Sequence, residues 1–200
     1  METNTFNKLS LRDFKWLNEP QKWKLLNENS SLEVTTDDEG DFWQGTLYGF
    51  HFNTGHLYGV QLRNDFCFTA CVEADFSELY DQAGLMIYQD EKHWLKAGIE
   101  YNDGQAMIGS VYTNELSDWA TGIFTGNPKK FYLRLTKKEN VVCVKYSTDN
   151  INWVLLRLCP FVSESVLVGP MACTPKRAGL NVLFSEITIC VPQEDILHSN

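Results

Sequence analysis

Short runs of alternating apolar and polar residues dominate this chain, and they predict β-strands. The stretch from Asp81 to Val111 reads as three such runs, joined by the tight polar turns DEKH and NDGQ. In the middle run one set of positions is apolar, and the other carries Trp94, Lys96 and Glu100 around Gly98. Successive side chains of a strand point to opposite faces. The first set therefore predicts a core, and the second predicts a face that either holds a ligand or is simply solvated.

The same alternation predicts further strands, each bounded by a turn. They are expected at residues 32–36, 58–62, 66–76, 131–138, 141–147, 153–158, 165–173 and 179–191. Helical periodicity is weak, with at most one helical turn expected within residues 113–126. Many short strands at even spacing are typical of a sandwich or barrel, so we expect an all-β fold. With no linker and no repeat, the chain is expected to form one domain over residues 1–200, with its core at about 14–190.

Composition and charge argue against nucleic acid and membranes as partners of this chain. The chain is 44% hydrophobic and 22% charged, which is typical of a globular protein. A net charge of -9 without a basic cluster argues against nucleic acid or an anionic membrane as a partner, since both attract a basic surface. No apolar run reaches membrane-spanning length, and the opening METNTFNKLS lacks the apolar region of a secretion signal. We therefore expect a cytoplasmic protein.

The six cysteines show neither a CxxC pair nor a Cys/His ligand cluster. This spacing predicts no metal site, and nothing else in the chain predicts a cofactor. In a protein without a secretion signal, the cysteines are best interpreted as free, small core residues.

Catalytic motifs are missing from the sequence. Glycoside hydrolases use two carboxyl groups held close together, about 5 Å apart in retaining enzymes. Glu73 and Asp75 share a strand face but have no third carboxylate after them. Glu100 stands two positions beyond Gly98 on the strand of Lys96, whose charge is expected to keep Glu100 ionised rather than raise its pKa as a general acid requires. The chain is therefore predicted not to be an enzyme.

A polar and aromatic sheet face remains as the candidate site. If residues 131–138 share a sheet with the middle run, Arg134 and Tyr132 join its polar face on one concave surface, with tryptophans at the rim. Aromatic rings beside charged groups suit sugars, and Gly98 would leave a gap for a ligand ring. The alternative is a structural ion-pair network, and Asp81 is equally placed to cap a turn. The candidate ligand-binding residues are Lys96, Glu100, Arg134, Trp94, Tyr132, Trp43, Trp119 and Asp81.

Several segments also resemble a known family. They are F-x-W-x-N-E-P-x-x-W (14–23), the W-x-K-x-G-x-E strand (94–100) with its flanks, SDWA (117–120), FYLRLTKKENVVCVKYSTDNINW (131–153) and VGPMACTPKRAGLNVLFSEITI (168–189). Together they are similar to a concanavalin A-like family related to the C-terminal domain of β-xylosidases. The resemblance implies a two-sheet antiparallel β-sandwich, the jelly roll of lectins and glucanases.

The family's yeast member is implicated in the control of enolase, in the cytoplasm and without a known reaction. The resemblance thus implies a non-catalytic regulatory or interaction protein, with enolase or another glycolytic enzyme as partner. The alternative is a module that binds a carbohydrate or a sugar phosphate on its concave face. A glycosidase whose carboxylates come from different strands is the least favoured hypothesis.

Overall fold

The alternating segments form two seven-stranded antiparallel sheets in a computed structural model that describes residues 10–198. The order of the first sheet is β1 (Lys15–Leu17), β6 (His56–Leu62), β15 (Val166–Cys173), β8 (Gln82–Asp90), β9 (His93–Asn102), β10 (Gln105–Asn114) and β11 (Leu116–Ile123). The order of the second is β14 (Val154–Pro160), β13 (Val141–Ser147), β12 (Lys130–Lys138), β7 (Phe66–Ala74), β16 (Asn181–Cys190), β3 (Ser31–Thr35) and β2 (Lys22–Leu26).

A small hairpin of β4 (Phe42–Gln44) and β5 (His51–Asn53) forms a third sheet. The only helical elements among residues 10–198 are two 3₁₀ turns, Leu11–Asp13 and Asn27–Asn29. The prediction of an all-β, two-sheet antiparallel sandwich is confirmed.

The main core lies between the two large sheets. The inward positions of β9 are Leu95, Ala97 and Ile99, and β7 and β12 face them with Phe68 and Phe131. These side chains are at most 2% exposed. Burying one large apolar side chain contributes about 1.5–3 kcal/mol, so this alternation is the main reason that the two sheets stay together.

A second, smaller core lies on the outer face of the first sheet. Phe42 of the hairpin is fully buried against Met86 and Trp94, and its ring centroid is 6.0 Å from that of Trp94. Leu57, Val111, Met171 and Cys173 complete the cluster. The hairpin therefore covers one part of this face and forms a wall beside the rest of it.

Two local expectations were wrong. Residues 113–126 contain the end of β10 and all of β11, with no helical turn. Trp43 lies in strand β4 rather than in a loop, and Trp119 lies in strand β11. β4 is only three residues long and β11 buries a single position, so their sequence alternation is weak, and pairing with β5 and β10 decides their conformation.

Candidate functional site

A cavity of about 430 Å³ opens on the outer face of the first sheet beside the β4–β5 hairpin. We call it the hairpin pocket. Its floor is polar and comes from β8 and β9, while its wall and rim come from residues 41–52 and from β11. Its lining includes Asp41, Trp43, Tyr48, Phe50, Phe52, Tyr80, Gln82, Lys96, Glu100, Val111, Trp119 and Lys176.

Strand register places the polar floor. In the β8–β9 pair Gln82 lies opposite Glu100, and Met86 lies opposite Lys96. Between these pairs Gly98 lies opposite Gly84. A Cβ at Gly98 would lie 2.1 Å from the carbonyl oxygen of Ala83, so the glycine is required by close contact between strands. The interpretation of Gly98 as a gap for a ligand ring is corrected accordingly.

Lys96 forms a buried ion pair with Asp41, the residue that precedes β4. Its Nζ donates to Asp41 Oδ1 at 2.8 Å, and the backbone N–H of Phe42 donates to the same oxygen at 2.8 Å. Burial would lower the pKa of Lys96, but the charge of Asp41, helped by Cys173 and Glu100, outweighs it and raises that pKa. Lys96 therefore stays an ammonium group, and it connects the hairpin to the sheet.

Glu100 is the unusual group of the floor. It is 8% exposed, and its carboxyl group makes no hydrogen bond or salt bridge with any residue in the described part of the chain. Burial raises its pKa to about 7, with Lys96 opposing the shift and Asp41 adding to it. The expectation that Lys96 would keep Glu100 ionised is wrong, because desolvation exceeds the attraction of a cation already paired with Asp41. Near neutral pH, Glu100 can either donate or accept a hydrogen bond.

The rim is aromatic and open to solvent. Tyr48 is 72% exposed and Phe50 52%, and neighbouring ring centroids along Tyr48, Phe50 and Phe52 are 5.7 and 5.6 Å apart. Trp119, which is 42% exposed, stands across from them on β11. Trp43 also lines the pocket, and its indole N–H donates a hydrogen bond to the carbonyl oxygen of Thr46.

Hydrogen bonds hold this rim in place. The backbone N–H of Gln44 donates to Ser117 Oγ at 2.8 Å, and the hydroxyl of Thr46 donates to the carbonyl of Ser117 at 2.6 Å. These bonds connect the hairpin to β11, just as Asp41 connects it to β9. The pocket is thus bounded by an anchored loop on two sides.

Four of the predicted site residues meet in the hairpin pocket: Lys96, Glu100, Trp43 and Trp119. Arg134 and Tyr132 do not, because β12 belongs to the second sheet and pairs with β7 and β13. Their predicted grouping with Lys96 on one concave surface is therefore wrong. Arg134 instead lies over the ring of Trp153, with 3.9 Å from its Cζ to the ring centroid.

Trp94 and Asp81, two further predicted site residues, stabilise the fold and do not line the pocket. Trp94 is fully buried beneath Phe42, so it cannot serve as a platform for a ligand. Asp81 is also fully buried and accepts a hydrogen bond from Arg177 Nε at 2.8 Å and from the backbone N–H groups of residues 77 and 78. Despite burial, these hydrogen bonds lower the pKa of Asp81. It caps a turn and lies outside the pocket lining.

Sequence reasoning missed several lining residues, chiefly Asp41, Gln82, Tyr48, Phe50 and Phe52. Asp41 belongs to the acidic stretch DDEGD, which reads as a turn. The segment FWQGTLYGFHF, residues 42–52, has five aromatic residues in eleven and was the available signal for an aromatic surface. No group of three or more His, Cys, Asp or Glu side chains arranged for a metal occurs within residues 10–198. Over the same span, no helix is long and apolar enough to cross a membrane.

Two packed antiparallel sheets with a pocket on one outer face define a two-sheet β-sandwich. The chain belongs to the family described as "Protein of unknown function (DUF1349)", which matches residues 16–191. The resemblance found in the sequence is thus confirmed.

A named protein and a crystal structure, both from Saccharomyces cerevisiae, match this chain at more than 40% identity. The protein named "Regulation of enolase protein 1" is 45% identical over 184 residues, which is 92% of each chain. A crystal structure of a functionally unknown protein from the same organism is 44% identical, covers 92% of this chain and 100% of its own, and has a TM-score of 0.89.

A more distant likeness concerns the fold alone. A mutant of the GH43 protein BlXynB from Bacillus licheniformis is 13% identical, with a TM-score of 0.73 over 90% of this chain and 37% of that chain. The sandwich is therefore a unit that also occurs inside larger proteins.

Proposed function

We propose that this protein binds a neutral, polyhydroxylated ligand of the carbohydrate class in the hairpin pocket and does not cleave it. The observation that carries the proposal is Glu100, a largely buried carboxyl group that has no hydrogen bond within residues 10–198 and faces the interior of an aromatic-rimmed pocket. A ligand hydroxyl can hydrogen-bond to this carboxyl group, and a hydrogen bond to a charged group contributes about 1.5–3 kcal/mol.

The rest of the lining suits the same ligand. Tyr48, Phe50 and Trp119 offer exposed ring faces against which the C–H face of a sugar can stack. Gln82, which lies opposite Glu100, adds an amide that both donates and accepts. Few polar groups at the base of a largely apolar cavity are typical of small-molecule sites.

The charge balance favours a neutral sugar over a sugar phosphate. Lys96 is already neutralised by Asp41, and Glu100 adds a second carboxyl group to the floor. Of the two lining cations, only Lys176 has no ion pair among residues 10–198. A phosphate at the floor would therefore meet two carboxyl groups and one paired ammonium.

The same contacts support a non-catalytic role. Asp41 accepts hydrogen bonds from Lys96 and Phe42 on one carboxylate oxygen, and these bonds hold the hairpin in place. A glycosidase needs two carboxyl groups that are free to act on opposite sides of a glycosidic bond. The glycosidase hypothesis is tested by incubating the protein with any glycan that binds and measuring released reducing ends, and we expect none.

Isothermal calorimetry and tryptophan fluorescence, across neutral monosaccharides and oligosaccharides and their phosphates, test the proposal. We expect binding of a neutral sugar, with Glu100→Leu and Trp119→Ala each weakening affinity by about ten-fold or more, which is about 1.4 kcal/mol. Arg134→Ala on the second sheet is the matched control and should bind normally. An unchanged affinity in Glu100→Leu, or tighter binding of the phosphates, would contradict the assignment.

A second candidate function rests on the 45% identical relative named "Regulation of enolase protein 1". We propose that this chain is likewise a cytoplasmic regulatory protein, with enolase or another glycolytic enzyme as partner. The exposed rim residues Leu47, Tyr48 and Phe50 supply an apolar surface for such contact. Sedimentation velocity of the purified protein with purified enolase, alongside enolase activity assays, should show co-sedimentation and altered turnover. Independent sedimentation together with unchanged turnover would reject it.

A further inference from the structure

The outer face of the second sheet carries two thiols at directly opposed positions. Cys67 on β7 and Cys190 on β16 are register partners in the antiparallel pair. Directly opposed residues of antiparallel strands have Cα atoms about 4.5–5.5 Å apart. Disulfides join Cα atoms about 4.4–6.8 Å apart, so the backbone already holds the two cysteines within bonding range.

Other thiols are less suited to this pairing. Cys143 lies in the same row but on β13, with β12 between it and β7. Strands are about 4.8 Å apart, so Cys143 and Cys67 are separated by roughly twice that distance. Cys71 lies four residues along β7 and is fully buried. The expectation that all six cysteines are core residues is therefore wrong for Cys190, which is exposed, and for Cys67, which is partly exposed.

The surroundings of Cys67 favour its thiolate. The adjacent Cys190 thiol lowers the pKa of Cys67; burial opposes this shift, while Thr136 and Arg134 support it. The hydroxyl of Thr136 lies 3.5 Å from Cys67 Sγ, and Arg134 is held nearby by its stacking on Trp153. Thiolates are the reactive form of cysteine.

The pair is reachable from solvent. Cys67 and Cys190 line an open cavity of about 680 Å³, together with Arg134 and Thr136. This cavity lies on the opposite sheet from the hairpin pocket, so the two sites are independent. A small neutral oxidant can enter it.

We propose that Cys67 and Cys190 form a peroxide-reactive dithiol that closes into a reversible cross-strand disulfide. The Cys67 thiolate attacks one oxygen of hydrogen peroxide, the O–O bond breaks, and the leaving hydroxide takes up a proton to become water. Cys67 is then a sulfenic acid. The sulfur of Cys190 loses its proton and attacks Cys67 Sγ, the S–O bond breaks, and a second water leaves. The two thiols together supply the two electrons that reduce the peroxide, and a dithiol reductant reverses the bond.

The test exposes the full chain to hydrogen peroxide, alkylates the remaining thiols and maps peptides without reduction. We expect a linked peptide joining residues 67 and 190 that disappears after dithiothreitol. Cys190→Ser should accumulate a dimedone-reactive sulfenic acid on Cys67, and Cys67→Ser should abolish the reaction at neutral pH. Cys71→Ser, on the same strand, is the control and should form the bond normally.

Peptide mapping of the unsubstituted chain decides the question even if a variant fails to fold. A bond between Cys67 and Cys143, or no bond when peroxide has already oxidised the methionines, would overturn the proposal. The proposal would also be overturned if the folded Cys67→Ser variant consumed peroxide as fast as the unsubstituted chain.

Discussion

Replacing Glu100 with glutamine should stabilise the folded protein at neutral and higher pH. The carboxyl group is 8% exposed, and burial raises its pKa from 4.5 to about 7 against the opposing charge of Lys96. Glutamine keeps the size and the hydrogen-bonding capacity of the side chain but carries no charge. The substitution therefore removes the energetic cost of ionising this position inside the fold.

The sign and size of the change in the free energy of unfolding follow from proton linkage at Glu100. The pKa of Glu100 is about 7 in the folded state, above its ordinary value of 4.5, so the folded state binds more protons than the unfolded state between pH 4.5 and about 7. Stability is therefore highest below about pH 4.5 as far as Glu100 is concerned, falls as the pH rises to about 7, and then stays level. At 1.36 kcal/mol per pH unit, the full difference is about 3 kcal/mol.

Urea unfolding at pH 5 and pH 8 measures the effect. Glu100→Gln should raise the free energy of unfolding by up to about 3 kcal/mol at pH 8 and by much less at pH 5. The matched control is Glu33→Gln, whose carboxylate is partly exposed and pairs with Lys24 at 2.9 Å; its change should stay within about 1 kcal/mol. A Glu100→Gln protein that is less stable than the parent at pH 8, or equally shifted at both pH values, would refute the reasoning.

Three further substitutions test the architecture. Gly98→Ala would place a Cβ 2.1 Å from the carbonyl oxygen of Ala83, and thermal unfolding should show a loss of roughly 2 kcal/mol or more. Phe42→Ala removes the buried ring that holds the hairpin, at about 3–5 kcal/mol, and hydrogen exchange should rise in residues 41–53 before it rises in the main sheets. Arg177→Ala leaves the buried Asp81 without its cation, and urea unfolding should show a loss of about 3 kcal/mol at pH 7 that shrinks in acid as Asp81 takes up a proton.

Local patterns were enough to predict the strands of the sandwich. The runs at residues 66–76, 131–138 and 141–147 alternate strongly, and each corresponds to an observed strand within two residues. Each of these strands buries one face against the opposite sheet, so selection for burial leaves a period of two in the sequence. Short or exposed strands such as β4 and β11 do not show this alternation in their sequence.

Only part of the candidate site could be predicted from the sequence, because contacts between segments far apart in the chain define the rest. Lys96 and Glu100 were found from their place on the polar side of one strand. The partner of Lys96, Asp41, comes from 55 positions earlier in the chain and lies next to Phe42, whose packing holds the hairpin against the sheet. Arg134 shares the polar periodicity of Lys96, yet it belongs to the other sheet.

The sequence by itself determined which residues of the strongly alternating strands face inward, and hence an all-β fold, since that information is local and repeats every second residue. It also showed that Lys96 and Glu100 share one strand face. Only the tertiary structure decided which strands are neighbours, because pairing depends on contacts far apart in the chain. That pairing, together with the hairpin that covers the first sheet, removes water from Glu100 and sets Cys67 opposite Cys190. Desolvation and register are properties of the folded chain, so no pattern within a single segment could reveal them.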